Sequence, residues 1–103
     1  MSRILVVDDE ARIRQIIRKY AEFEGFEVEE AVDGMQAIEI CRKEDFDLII
    51  MDVMMPVMNG YEATRNIRKL HRKDAKKIPI IAMTANAFTK DKLDAIEAGM
   101  NEH

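Results

Sequence analysis

Cysteine is nearly absent from this sequence, and long apolar runs are missing. The single cysteine, Cys41, excludes a disulfide within the chain, which suits a reducing compartment. No apolar run approaches the roughly 18–20 residues that a bilayer-spanning helix needs. The first residues enter a strand-like run at once and lack the apolar core of a signal peptide. We therefore expect a cytoplasmic protein with no membrane partner.

Excess positive charge and repetitive segments are also lacking. The formal net charge is −4, which argues against direct nucleic-acid binding. The 103 residues are 48% hydrophobic and 35% charged, so the chain is large enough for one core and too apolar for disorder. We expect one domain over residues 1–103, without an output domain.

What the sequence does contain is a regular alternation of strand-like and helix-like segments. Strands are predicted at residues 4–7, 26–32, 47–52 and 78–83, and a fourth helix at 89–98. Apolar residues recur at helical spacing in the first three helices, at Ile13, Ile16, Ile17 and Tyr20, then Ala37, Ile38 and Cys41, then Ala63, Ile67 and Leu70. Four strand–helix units predict a parallel α/β sheet with right-handed crossovers and helices on both faces.

Polar residues follow three of the predicted strands. The first strand ends in Asp8 and Asp9, the third in Asp52 and the fourth in Thr84. Ligands of open parallel sheets bind outside the carboxyl ends of the strands. If the first and third strands are neighbours, three carboxylates meet at one edge of the sheet.

Three carboxylates so close together must be hydrated, protonated or neutralised by a cation. Oxygen ligands alone favour a hard ion, and Mg²⁺ usually takes one or two carboxylates and keeps several waters. A carboxylate can also act as a nucleophile that forms an acyl phosphate. The competing interpretation is that strand-end aspartates cap helices and turns. That explanation suits any single aspartate better than it suits the whole set.

Three segments make the sequence similar to receiver domains of bacterial two-component response regulators. They are residues 6–10 (VVDDE), 52–60 (DVMMPVMNG) and 83–85 (MTA). The resemblance covers essentially the whole chain. It implies a flavodoxin-like (CheY-like) doubly wound parallel sheet, of which four βα units are present.

The resemblance also implies a role for each matching residue. Asp52 would be the phosphoacceptor, which takes a phosphoryl group from a sensor histidine kinase. Asp8 and Asp9 would hold Mg²⁺ together with Asp52 and the backbone carbonyl of Met54. Thr84 would be the switch hydroxyl that turns toward the phosphoryl group. Such a domain is not an enzyme, and at most it assists its own phosphorylation and dephosphorylation.

One feature of the family is missing from this chain. The family has a lysine at the end of a fifth strand, and that position would fall shortly beyond His103. Truncation, a disordered tail and a partner chain that supplies the strand are three open explanations. Where the tail is absent, we expect an open sheet edge, an exposed apolar helix face, and self-association or lower stability. Impaired phosphorylation is an alternative reading of the function.

Two other functions have the same sheet type. A flavodoxin-like domain that binds a nucleotide or flavin needs a loop rich in Gly, Ser or Thr after the first strand. This chain has Asp8, Asp9 and Glu10 there, which repel phosphate unless a metal intervenes. An aspartyl-phosphate hydrolase would pair its nucleophile with a second aspartate two residues later, where this chain has Met54.

Overall fold

The order of helices and strands is the predicted alternation. In the computed structural model, which describes residues 2–70, 75–83 and 89–101, the strands are β1 Arg3–Val7, β2 Glu27–Ala31, β3 Leu48–Asp52 and β4 Ile80–Met83. The helices are α1 Ala11–Phe23, α2 Gly34–Lys43, α3 Gly60–Arg68 and α4 Thr89–Ala98. Among the helices that these ranges contain, none has the length and apolar character that crossing a bilayer requires.

The four described strands form one parallel sheet. Their order is β2-β1-β3-β4, so β1 lies between β2 and β3. The register pairs Val7 of β1 with Met51 of β3, which brings the carboxyl ends of these two strands side by side. The residues that follow Val7 therefore lie next to Asp52, the last residue of β3.

Two apolar layers cover the two faces of the sheet. Side chains from α2, α3 and α4 pack with alternate strand residues, including Leu5, Ile49 and Ile80, into the larger core. The opposite face holds Ile4, Val6 and Val28, against which Ile17 and Ala21 of α1 pack. Alternation along β1 thus sends neighbouring residues into different layers, as the period of a strand requires.

The first helix departs from its expected burial. Its spacing is helical as predicted, but Ile16 is 49% and Tyr20 is 73% exposed. Only part of the predicted apolar stripe faces the sheet, because Ile17 and Ala21 already cover β1 and β2. Phe23, at 87% exposed, adds to the apolar surface that α1 leaves open.

Several boundaries differ by one or two residues from the predicted ones. The second strand is shorter than residues 26–32 at both ends, and Phe26 is 37% exposed. The fourth strand begins at Ile80 instead of 78, although the Pro79 carbonyl still accepts the Ile49 N–H at 2.9 Å. Proline has no N–H to give to a sheet, so the strand begins after it.

Candidate functional site

Three aspartates meet at the carboxyl edge of the sheet. Asp8 and Asp9 directly follow β1, and Asp52 ends β3. One carboxylate oxygen from each lies within 4.8 Å of the others, so all three can contact a single ion. Asp8 is only 4% exposed, whereas Asp9 is open to solvent. The cleft that they line has a volume of about 320 Å³, and its remaining lining residues are Glu10, Ile13, Met54 and Met83.

Burial and mutual repulsion alter the acidity of two of these carboxyls. Burial and the nearby charge of Asp8 raise the pKa of Asp52 to about 6, even though the Met54 N–H donates to its carboxylate at 3.2 Å. Burial likewise raises the pKa of Asp8, with a smaller contribution from Asp9. The ionised form of these carboxyls is therefore disfavoured in the cleft, and a bound cation would offset their repulsion.

This donor set fits a hard divalent cation. Every candidate side-chain ligand is a carboxylate oxygen, and the cleft is open enough for water to complete a coordination shell. Mg²⁺ binds in this manner, with few carboxylates and several waters. Among the residues that the structure describes, Asp8, Asp9 and Asp52 form a group of acidic side chains suited to hold an ion.

The structure describes Met54 among the remaining predicted site residues but not Thr84. Met54 lies on the wall of the cleft with its side chain 78% exposed, so its side chain is free of packing constraints there. Thr84, the predicted switch hydroxyl, lies outside the described residues. Met83, the last residue of β4, still reaches the cleft.

The loop after Asp52 is held tightly against the strand end. The Gly60 N–H donates to the Val53 carbonyl at 3.0 Å and closes the loop. A Cβ atom at Gly60 would come within 2.3 Å of the Asp52 carbonyl oxygen, so only glycine fits. Asn59 caps α3 and forms a capping box with Glu62. This loop thereby fixes the backbone of the candidate phosphoacceptor.

One residue of the same loop is conformationally strained. Val57 has a φ of 67°, in the left-handed region that a β-branched residue rarely adopts, and its side chain is fully exposed. It lies between Pro56 and Met58, whose carbonyl and N–H form a hydrogen bond of 2.7 Å. Such strain persists where the surrounding structure enforces it, often beside a functional site.

Sequence reasoning missed Arg14, which contacts Asp8, and Glu30, which holds Arg14. The Arg14 guanidinium donates from Nη1 to the Asp8 carbonyl at 2.7 Å and from Nε to Glu30 at 3.0 Å. Arg18 also pairs with Glu30. Arg14 and Arg18 are one helical turn apart, which was visible in the sequence. Their shared partner on β2 was not, because it depends on how α1 packs against the sheet.

The sequence is similar to known proteins over nearly its whole length. The sequence model of a family described as the response regulator receiver domain matches residues 4–103. The transcriptional regulatory protein ResD of Bacillus subtilis is 40% identical over 102 residues, which cover 99% of this chain and 40% of that protein. SrrA of Staphylococcus aureus is 33% identical with the same two coverages, 99% and 40%. The chain thus spans about 40% of the length of these relatives.

Solved structures agree with the sequence comparison. The chemotaxis protein CheY4 of Vibrio cholerae superimposes with a TM-score of 0.92 at 35% identity, over 99% of this chain and 83% of that one. The second structure is the receiver domain of a sensor histidine kinase from Pseudomonas aeruginosa, which has a magnesium ion coordinated in its active site cleft. It superimposes with a TM-score of 0.87 at 37% identity, over 98% of this chain and 81% of that one. These likenesses confirm the predicted flavodoxin-like (CheY-like) doubly wound sheet.

Proposed function

Because the chain belongs to the response regulator receiver domain family, we propose that Asp52 accepts a phosphoryl group from a histidine kinase. Asp8 and Asp9 hold Mg²⁺ beside it, with the backbone carbonyl of Met54 as a further ligand. Receiver domains bind Mg²⁺ at an acidic site and are phosphorylated by histidine kinases. The observation that carries this assignment is the convergence of the three aspartates within 4.8 Å at the sheet edge.

Asp52 has the properties that a phosphoryl acceptor needs. One of its carboxylate oxygens attacks the phosphorus of the kinase's phosphohistidine. A new O–P bond forms while the P–N bond breaks, and the imidazole of the histidine leaves with the bonding electron pair. With a pKa of about 6, the carboxyl is mostly ionised near neutral pH and available for attack. When bound, Mg²⁺ offsets the negative charge of the carboxylates and of the incoming phosphoryl oxygens.

Positioning is the contribution of the rest of the site. The Met54 N–H donates to Asp52 and orients its carboxylate, and Gly60 permits the close approach of the loop to the strand end. Asp8 is held by the Ala31 carbonyl, which accepts its N–H at 3.2 Å. We propose that the domain is not an enzyme with a separate substrate but assists its own phosphorylation and dephosphorylation. Thr84 is the proposed switch hydroxyl.

The acidic cleft disfavours the flavin or nucleotide alternative. A phosphate group bound without a metal would face Asp8, Asp9 and Glu10. No compensating arginine or lysine lines this cleft among the described residues. Charge therefore favours a cation as the first ligand and a phosphoryl group only after it.

Treatment with acetyl phosphate and Mg²⁺ tests the assignment by intact mass. We expect a gain of about 80 Da, one phosphoryl group, that disappears with a chelator and in Asp52→Asn. Asp94→Asn on α4, away from the cleft, is the matched control and should be labelled like the unaltered chain. A gain that survives in Asp52→Asn would refute Asp52 as the acceptor. Mg²⁺ binding without any gain would favour the phosphorylation-impaired alternative.

A further inference from the structure

We propose that Arg14, backed by Glu30, is a positioning residue for the cation-binding aspartates. The inference rests on the proposed function of the acidic cleft. It adds a residue outside the cleft that holds the cation-binding aspartates in position. Arg14 does not line the cleft itself. It acts through the peptide group that joins Asp8 to Asp9.

The contact is made at the point where β1 ends. Arg14 Nη1 donates to the Asp8 carbonyl oxygen at 2.7 Å. This carbonyl belongs to the peptide unit whose nitrogen is that of Asp9. Since a peptide unit is planar, fixing its carbonyl oxygen also fixes the direction in which the Asp9 backbone leaves. Arg14 thereby determines where the exposed carboxylate of Asp9 can lie.

The other polar groups of Asp8 are held by the backbone alone. Its N–H donates to the Ala31 carbonyl at 3.2 Å, and its carboxylate Oδ1 accepts the Glu10 N–H at 2.8 Å. The bond from Arg14 is thus the one hydrogen bond that another side chain gives to Asp8 among the described residues. Loss of the Arg14 guanidinium would leave a carbonyl next to a buried residue without its donor.

Glu30 fixes the orientation of the guanidinium. It accepts from Arg14 Nε at 3.0 Å and also pairs with Arg18. The Arg14 side chain is only 12% exposed and that of Glu30 is 23% exposed, so solvent competes weakly with this pair. Burial alone would raise the pKa of Glu30, but hydrogen bonds from Arg18 and Arg14 outweigh it and lower that pKa. Glu30 therefore remains ionised and keeps Arg14 in place.

Charge and positioning predict opposite effects for the loss of Arg14. Its positive charge lies near the cleft and opposes the attraction of the aspartates for a cation, so removing charge alone would tighten Mg²⁺ binding. Removing a positioning contact would weaken binding, since supports of metal ligands commonly contribute about tenfold or more to affinity. The sign of the change separates the two effects.

Titration calorimetry with Mg²⁺ on Arg14→Gln and Arg14→Lys provides the test. We expect both variants to bind Mg²⁺ about tenfold more weakly, because lysine keeps the charge but lacks the two-pronged donor geometry. Arg12→Gln removes an equal charge from an exposed position of the same helix, and its affinity should stay within about twofold. Glu30→Gln should weaken binding by about threefold and add little in the Arg14→Gln background.

Labelling by acetyl phosphate gives a second readout. In the Arg14 variants, we expect the Mg²⁺ concentration for half-maximal rate to rise in step with the weaker binding, while the rate at saturating Mg²⁺ recovers. A role in overall stability alone would lower the unfolding temperature and leave Mg²⁺ affinity unchanged. If either Arg14 variant fails to fold, Glu30→Gln carries the same test.

Three outcomes would overturn the inference. They are unchanged or tighter Mg²⁺ binding in Arg14→Gln, affinity in Arg14→Lys equal to that of the unaltered chain, and full additivity of the Arg14→Gln and Glu30→Gln effects. Failure of the proposed function is distinguishable, because the unaltered chain would then bind no Mg²⁺, or the Asp52→Asn variant would still be labelled. An unaltered chain that binds Mg²⁺ normally beside unaffected Arg14 variants refutes only the role of Arg14.

Discussion

Replacing Asp52 by asparagine should stabilise the cation-free protein at neutral pH. The raised pKa of Asp52 means that the folded chain binds its proton more tightly than the unfolded chain does. The free energy of unfolding therefore falls as pH rises from the ordinary carboxyl pKa of 3.8 through the folded value of about 6. Asparagine keeps the shape of the side chain and removes the charge that causes this loss.

The pKa shift of Asp52 sets the size of the expected gain in unfolding free energy. Raising the pKa from 3.8 to about 6 corresponds to about 3 kcal/mol when Asp52 is fully ionised. Because the side chain is partly open to solvent, which screens the repulsion, we expect a gain of about 1–2 kcal/mol for Asp52→Asn at pH 7.5. Near pH 3.5 the carboxyl is mostly protonated in both states, so the two chains should be about equally stable there.

Urea unfolding followed by circular dichroism, with a chelator present, measures this difference at the two pH values. Saturating Mg²⁺ should then stabilise the unaltered chain more than Asp52→Asn, since an ion that binds the folded state shifts unfolding by mass action. Asp94→Asn removes one carboxylate outside the cleft and serves as the control for the loss of a negative charge. Equal stability of Asp52→Asn and the unaltered chain at pH 7.5, or a gain that is the same at pH 3.5, would refute the reasoning.

Three further predictions concern the loop after β3 and the exposed surface. Gly60→Ala should destabilise the fold by about 1–3 kcal/mol, measured by urea unfolding, and slow labelling of Asp52, because the new Cβ would collide with its carbonyl. Val57→Asn should raise the unfolding free energy by about 1 kcal/mol, since asparagine tolerates positive φ better than valine; a loss would contradict the assigned strain. Self-association of the 103-residue chain stays a prediction, which sedimentation can check: Tyr20→Ser and Phe23→Ser should lower the average mass if these exposed side chains mediate contact.

Much of the fold was readable from local pattern. Continuous runs of β-branched residues, such as Ile4–Val7, are typical of strands buried on both faces, and the structure buries all four of these residues. The stripe of Ala37, Ile38 and Cys41 predicted the buried face of α2 correctly. The apolar stripe on α1 predicted burial less well, because Ile16 and Tyr20 are exposed. Spacing places residues on one side of a helix but does not say how much of that side a neighbour will cover.

The candidate site was predictable for a related reason. Asp8, Asp9 and Asp52 are strand-end residues, and the topology of a parallel sheet gathers strand ends at one edge. The order of strands was the missing premise, and the pairing of β1 with β3 supplies it. The roles assigned to Met54 and Thr84 came from the resemblance and stay predictions.

The sequence by itself therefore determined the elements, their alternation and the acidic residues at the strand ends, because these depend on neighbours within one turn or one strand. Only the tertiary structure decided which groups surround those residues. Arg14 and Glu30 are 16 positions apart, and they meet because α1 packs on the sheet beside β2. The elevated pKa of Asp52 likewise arises from burial and from Asp8, 44 positions earlier in the chain. Contacts over such separations depend on the packing of whole elements, which local pattern does not encode.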